Sequence, residues 1–205
     1  MNGEVNRQDF RLWSDENPHW FAEEPLHPEK VTVWLGVGLN GFIGPFFWEP
    51  DPQFPRERGI NARWYEAMLT DQAVPALRNW QNFERLVFQQ DGAPAHYALR
   101  VRQLLDREFP YRWMGRGSAR QPAPVAWPPR SPDLTPLDFW VWGHLKQRIF
   151  TQDFRPRTID ELKDAIRRAI AELNEDQEMR ERVWEEFRCR LEECVRRGGQ
   201  SVERR

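Results

Sequence analysis

The sequence predicts a mixed α/β fold, and three patterns carry that expectation. Two strand-like runs, VTVWLGVG over 31–38 and GFIGPFFWE over 41–49, flank Leu39 and Asn40, with Asn40-Gly41 as the turn signal of a hairpin. Beyond the hairpin, stretches with apolar residues at helical spacing alternate with short strand-like runs. The chain then closes with three helical segments in succession.

Taken in order, residues 1–28 are polar and broken by prolines. Phe10, Trp13, Trp20 and Phe21 are their strong anchors, so they read as an extended arm with room for a strand near 10–13. From Asn61 to Trp80, Trp64, Ala67, Met68, Val74 and Leu77 recur at mostly helical spacing behind an Asn61 cap. RLVFQQ at 85–90 reads as a strand ending at Asp91, and 95–109 as a helix with Tyr97, Val101, Leu104 and Leu105 on its apolar stripe. A loop rich in Gly, Ser and Pro leads to a short strand at 125–127. Thr135 and Pro136 suit the N-cap and first position of the next helix. A capping box, Thr158 to Glu161, opens another with Leu162, Ile166, Ala169, Ile170 and Leu173 on one face. The last carries Met179, Val183, Phe187, Leu191 and Val195 at i, i+4 steps and stops at Gly198-Gly199.

With 205 residues, 40% of them hydrophobic and 30% charged, the chain suits one globular domain with a real core, and its 17 prolines predict several rigid loops. No apolar run approaches the roughly eighteen residues of a membrane span, and MNGEVNRQDF lacks a signal-peptide core, so the expectation is a soluble protein that stays inside the cell and has no membrane partner. Cys189 and Cys194, five apart in a helical stretch, point to different faces, which disfavours both a disulfide and a zinc site. A net charge of −2 argues against nucleic-acid binding through overall positive charge and leaves the question to local patches. All basic residues except Lys30, Lys146 and Lys163 are arginine, a side chain whose fork suits phosphate oxygens, although biased codon usage explains the excess equally well.

Two segments set a carboxylate at a position suited to chemistry. In QQDGAPAH, Asp91 stands beyond the C-terminal end of a buried strand, where open α/β sheets form sites, and Gly92, Pro94 and His96 shape the exit. An aspartate there commonly serves only a turn. In WPPRSPDLTPLDFWVWG, Asp138 falls on the first turn of the helix that Thr135 and Pro136 begin, where free N–H groups and the helix dipole favour a charge that stays ionised. The plain alternative is a stabilising helix-start acid. Asp133 reads as a loop residue closing a turn. The pair Asp91 and Asp138 suggests a magnesium site without specifying one by spacing.

The run FQQDGAPAHYA together with WPPRSPDLTPLDFWVWGHLK resembles the catalytic core of mariner-like transposases of the Tc/mariner superfamily, particularly the insect-type branch. The resemblance runs from about Asn6 nearly to the C-terminus. VTVWLGVGLNGFIGPFFWE, INARWYEAML and VWEEFRCRLEECV are similar to that branch too. The resemblance implies an RNase H-like mixed sheet flanked by helices, with residues 1–150 forming a partial catalytic domain and 151–205 a helical C-terminal extension of it. It further implies three acidic residues holding two divalent metals, usually Mg2+ or alternatively Mn2+, for DNA strand cleavage and transfer by in-line attack. Carried over by motif, Asp91 is the second acid and Asp138 the third, both as catalytic metal ligands. The implied partners are DNA, as transposon ends, and a second copy or a related transposase, with the nucleus as the place of action.

The sequence departs from that family's pattern in two ways. The family's first acid lies on its first strand, in a Ser/Thr-Asp-Glu phrase just upstream of a segment resembling NGEVNRQ, which here begins at Asn2. The expectation is that the first acid and first strand fall before Met1, together with the helix-turn-helix region that reads transposon ends. Asp15 and Glu16 mimic the phrase but match a later part of the family's sequence, so neither is assigned a metal. Loss of the strand predicts two exposed sheet edges and poor stability, or rescue by a partner. Second, 46 residues separate Asp91 from Asp138, more than is usual, with the excess in GRGSARQPAPVAW. That stretch is expected to be a flexible loop absorbing the insertion, and it leaves Ala126 near where the branch usually has an acid. Two functions compete: a transposase-derived chain inactive or impaired alone, and a domesticated non-catalytic module binding nucleic acid or a related transposase through its C-terminal helices and arginines. SPDLTPLD disfavours a different RNase H-like nuclease.

Overall fold

The computed structural model describes residues 30–57, 59–151 and 155–203, so the arm over 1–28, its strand near 10–13 and Asp15 lie outside the described residues. Strand β1 (Val33–Gly38) pairs antiparallel with β2 (Gly41–Phe47) around the expected Leu39-Asn40 turn, from Val33 opposite Phe47 to Gly38 opposite Gly41, with a bulge that shifts the register between Trp34 and Gly36. Gly41 has φ +124, and a Cβ there would lie 2.5 Å from Asn174 Oδ1. That oxygen accepts the Phe42 N–H at 2.8 Å, so a helix far along the chain locks the turn. Adjacent residues enter different cores: Trp34, Ile43 and Phe46 pack into one, and Leu35, Phe42 and Phe47 into the other, the spacing along β2 being offset by the bulge. Burial on both faces explains why the two runs are apolar almost throughout.

The first core rests on α1 (Ala62–Met68), where the Asn61 side chain accepts Trp64 N–H at 2.9 Å. One π turn, Leu69–Ala73, carries α1 into α2 (Val74–Arg78). The widening comes just before Pro75, which has no N–H to give an ordinary helical bond. Strand β3 is shorter than the sequence predicts, Phe88–Gln89, because Phe83–Arg85 form a 3-10 turn. The single helix expected over 95–109 is two, α3 (Pro94–Tyr97) and α4 (Leu99–Glu108), broken where Ala98 is extended at ψ 141. Strand β4 (Trp113–Gly115), unforeseen in the sequence, runs parallel to β3, and β5 (Val125–Ala126) runs parallel to β4.

The loop between β4 and β5 is tied rather than loose. Buried Arg102 donates to Ser118 Oγ (2.9 Å) and to the Gln121 carbonyl (2.8 Å), and Gln121 Nε2 donates to Asp106 Oδ2 (2.6 Å). The expectation of a flexible insertion therefore fails: residues of the insertion itself, Ser118 and Gln121, meet the donors and acceptors of α4.

The second core joins the hairpin to a π turn (Leu137–Val141), α5 (Trp142–Ile149) and α6 (Ile159–Glu175). Thr158 Oγ1 accepts Glu161 N–H at 3.1 Å as the capping box predicts, while Glu161 Oε2 reaches back to Arg157 N–H at 2.7 Å. Leu162, Ile166, Ala169, Ile170 and Leu173 are all buried, as expected. Helix α7 (Gln177–Arg196) departs from expectation: Met179, Val183, Phe187 and Leu191 are only half-buried, and Val195 is exposed. Its buried residue is Arg180, which donates to the Leu173 carbonyl (3.1 Å) and to that of Asn174, capping the end of α6.

Among the described residues no strand joins β1 to β3, so the strands form a pair and a triplet. All of β1 and residues 86–91 line a groove of about 520 Å³. No helix among the described residues is long and apolar enough to cross a membrane. Ile166→Ala should cost about 2–5 kcal/mol and Thr158→Ala about 1 kcal/mol, read from urea unfolding; equal losses would contradict the roles given to core and cap.

Candidate active site

Asp91 lies just past β3, after Gln90, whose N–H continues the ladder to the Met114 carbonyl at 3.0 Å. Its Oδ1 accepts two hydrogen bonds, from Ala93 N–H at 3.0 Å and from His96 Nδ1 at 2.6 Å. A carboxylate oxygen can only accept, which assigns the proton to that ring nitrogen. The His96 bond, aided by Ala93, holds the Asp91 carboxyl below its ordinary pKa.

His96 is itself fixed from beneath. Its ring lies 4.3 Å from that of the fully buried Tyr65 of α1. Tyr65 Oη donates to Gln90 Oε1 at 3.0 Å, and Gln90 Nε2 donates to the His96 carbonyl at 3.0 Å. Burial pushes the Tyr65 hydroxyl far above its usual pKa, keeping it a neutral donor. Sequence reasoning noted His96 but missed Tyr65 and Gln90, because nothing in the helical stripe of α1 marks one of its residues as reaching a site 25 positions on.

Asp138 stands on the π turn Leu137–Val141. Thr135 does occupy the cap position by backbone, its carbonyl accepting the N–H groups of Asp138 (2.8 Å) and Phe139 (3.1 Å). Its hydroxyl turns away to donate to the Ser131 carbonyl at 3.2 Å. The pull of the helix start toward the charged form is opposed at Asp138. Desolvation, and then the charge of Asp91, raise its pKa above the ordinary value. Among the described residues nothing donates to the Asp138 carboxylate, and only Oδ1 of Asp91 is engaged.

The two acids, far apart in sequence, share one junction. Both line the apolar groove beside β1, and both line a second cleft of about 340 Å³ with Arg116, Trp127, Arg130 and the prolines around them. Ala126 sits exposed on β5. Among the described residues no cluster of three or more His, Cys, Asp or Glu side chains arises.

Asp133 takes a role larger than closing a turn. It is 4% exposed, and its Oδ2 accepts Ser201 Oγ and Val202 N–H, each at 2.8 Å. Arg190 of α7 donates to its carbonyl at 3.2 Å. The C-terminal tail is thereby fastened to the 3-10 turn Pro132–Leu134 that leads into Asp138. No local pattern could have disclosed a partner 68 residues away.

These features define an RNase H-like α/β fold with two carboxylates gathered at the end of the parallel sheet. Several solved structures similar to it are of Mos1 transposase. The chain matches the Mos1 transposase paired-end complex with the left transposon end at TM-score 0.64 and 23% identity, over 95% of this chain and 52% of that one. It matches the Mos1 catalytic domain solved with raltegravir and Mn at 0.61 and 22%, over 84% and 78%. A mariner Mos1 paired-end complex with Mg gives 0.62 and 24%, over 95% and 52%. The fold is thus that of the Mos1 catalytic domain, and the chain spans about half the length of the Mos1 chains in the paired-end complexes. No protein-family model and no curated protein matches the sequence.

Asp133 supplies a pH test. Burial raises its pKa, but the bonds from Val202 and Ser201 outweigh that and leave it lowered. A lowered carboxylate stabilises the fold above its unfolded pKa and loses that contribution as pH falls through the folded value. Asp133→Ala should cost about 1–3 kcal/mol at pH 7, and its gap to wild type should close below about pH 4. A gap independent of pH would refute the charged latch.

Proposed function

We propose that this chain is the catalytic portion of a mariner-type DNA transposase, with Asp91 and Asp138 as two carboxylates of a divalent-metal site that cuts DNA. One observation carries the reading: on this fold, two acids from separate elements converge at one junction with most of their oxygens unengaged. Such a donor set suits Mg2+ or Mn2+, which take one or two carboxylates and complete their shell with water and phosphate oxygens. Desolvation first, and then the like charge of Asp91, raise the Asp138 pKa, and a cation between the two acids would relieve the second of these.

The metal would supply charge neutralisation and activation of an attacking oxygen at the phosphodiester. The chain's own part is placement. His96 and the Ala93 N–H fix the rotation of Asp91, and the Tyr65–Gln90 bond holds the strand end from which it projects. The helical turn beginning after Thr135 presents Asp138 to the same two clefts. In this reading the protein works on DNA in the nucleus, with a second copy or a related transposase as partner. The family's first acid comes from its first strand, and the groove along β1 is the course an extended segment would follow to reach Asp91.

The absence of a third clustered ligand among the described residues favours a second reading, a DNA-binding module without cutting activity. Nicking of supercoiled plasmid in Mn2+ or Mg2+ separates the two. The expected result is metal-dependent nicking that Asp91→Asn and Asp138→Asn each reduce by more than ~100-fold, while Asp133→Asn leaves it in place. Undiminished nicking by Asp91→Asn would sink the site. A folded wild-type protein that binds DNA and never cuts it would establish the second reading.

A further inference from the structure

We infer that the cleft on the Arg116 side of the two acids seats a single DNA strand, with Arg116 gripping a backbone phosphate and the Trp127 indole flanking the adjoining base. The inference rests on the reading of the site as one that acts on DNA. It concerns side chains to which the carboxylate pair and the motif resemblance assign no role.

Arg116 follows β4 directly and is exposed, yet it is held. Its guanidinium lies 4.4 Å from the Tyr97 ring centroid. Arg102 approaches the same ring at 4.8 Å but spends its donors on the Tyr97 carbonyl, Ser118 and Gln121. Arg116 has no ion-pair partner among the described residues, whereas Arg78, Arg100, Arg112 and Arg148 each face a glutamate. The Tyr97 ring thus holds in place a guanidinium whose charge remains available, the state in which arginine recognises phosphate.

The position is also built. A Cβ on Gly92 would come within 3.3 Å of Arg116 Cδ and 3.5 Å of its Cβ. Glycine immediately after Asp91 therefore lets the Arg116 stem lie along the acid's own loop. Across the cleft, Arg130 adopts φ 56, a left-handed conformation costly for a residue with a side chain. Trp127 is anchored by its N–H to the Gly115 carbonyl at 3.1 Å and lines the same cleft with its indole half-exposed. A stacked cation, a second cation and an aromatic face beside two carboxylates match what a nucleic-acid strand presents: a phosphate for the fork and a π-face for the ring.

The test is binding rather than cutting. Fluorescence anisotropy of a labelled single-stranded DNA oligonucleotide, with Ca2+ in place of Mg2+ or Mn2+, is followed against salt for wild type, Arg116→Ala, Arg116→Lys and Gly92→Ala. Arg116→Ala should weaken binding roughly tenfold and lower the salt slope by about 0.7. Gly92→Ala should weaken binding with the slope retained, and Arg116→Lys should fall between Arg116→Ala and wild type. Each variant must keep the wild-type circular dichroism. Binding by wild type that Arg116→Ala leaves unchanged would overturn the inference and spare the proposed function. No binding by folded wild type would overturn both.

Discussion

Each strand of the hairpin is asked to satisfy two cores at once. Trp34 and Ile43 belong with the helices that flank Asp91, while Leu35 and Phe42 belong with α5 and α6, which carry the chain away from Asp138. A shift of one residue in the β1–β2 register would send every one of these side chains into the wrong core. The Asn174 contact to Phe42 N–H therefore matters beyond its own bond, because it anchors the register where the strands turn. Among the described residues no strand pairing ties the hairpin to the parallel triplet, so the relative placement of the two acids depends on side-chain packing through this septum.

What the sequence disclosed follows from the range of the forces involved. The Asn40-Gly41 turn, the Thr158 cap and the buried face of α6 are decided within a few residues, and each stands where local chemistry puts it. Strand β4 was illegible because three residues carry no period; it is a strand because Phe88 and Gln89 lie alongside it. The break at Ala98 was hidden for a related reason, since alanine favours helix and only the neighbouring structure makes that residue extended. Asp91 and Asp138 could be nominated singly, one at a strand end and one at a helix start. Their meeting, and the burial and neighbouring charge that raise the pKa of Asp138, are properties of the folded chain.

The two acids are poised differently by unlike surroundings. Asp91 is engaged by an imidazole and a backbone amide and is held in its anionic form, whereas Asp138 is left with a like charge as its neighbour. This division places rigidity on the side of β3 and electrostatic tension on the side of α5. The π turn suits the second role, because a widened turn re-aims side chains relative to an ordinary helix start.

The fastening of Ser201 and Val202 to Asp133 bears on how the protein can be handled. The last residues of a chain are usually free ground for affinity tags, labels or trimming. Here Ser201 and Val202 fill the hydrogen-bonding needs of a buried carboxylate in the turn that leads toward Asp138, so a cut or an insertion at those two residues would cost stability. Labels belong elsewhere on the surface, for instance at Cys189, an exposed thiol on the helix that precedes the tail.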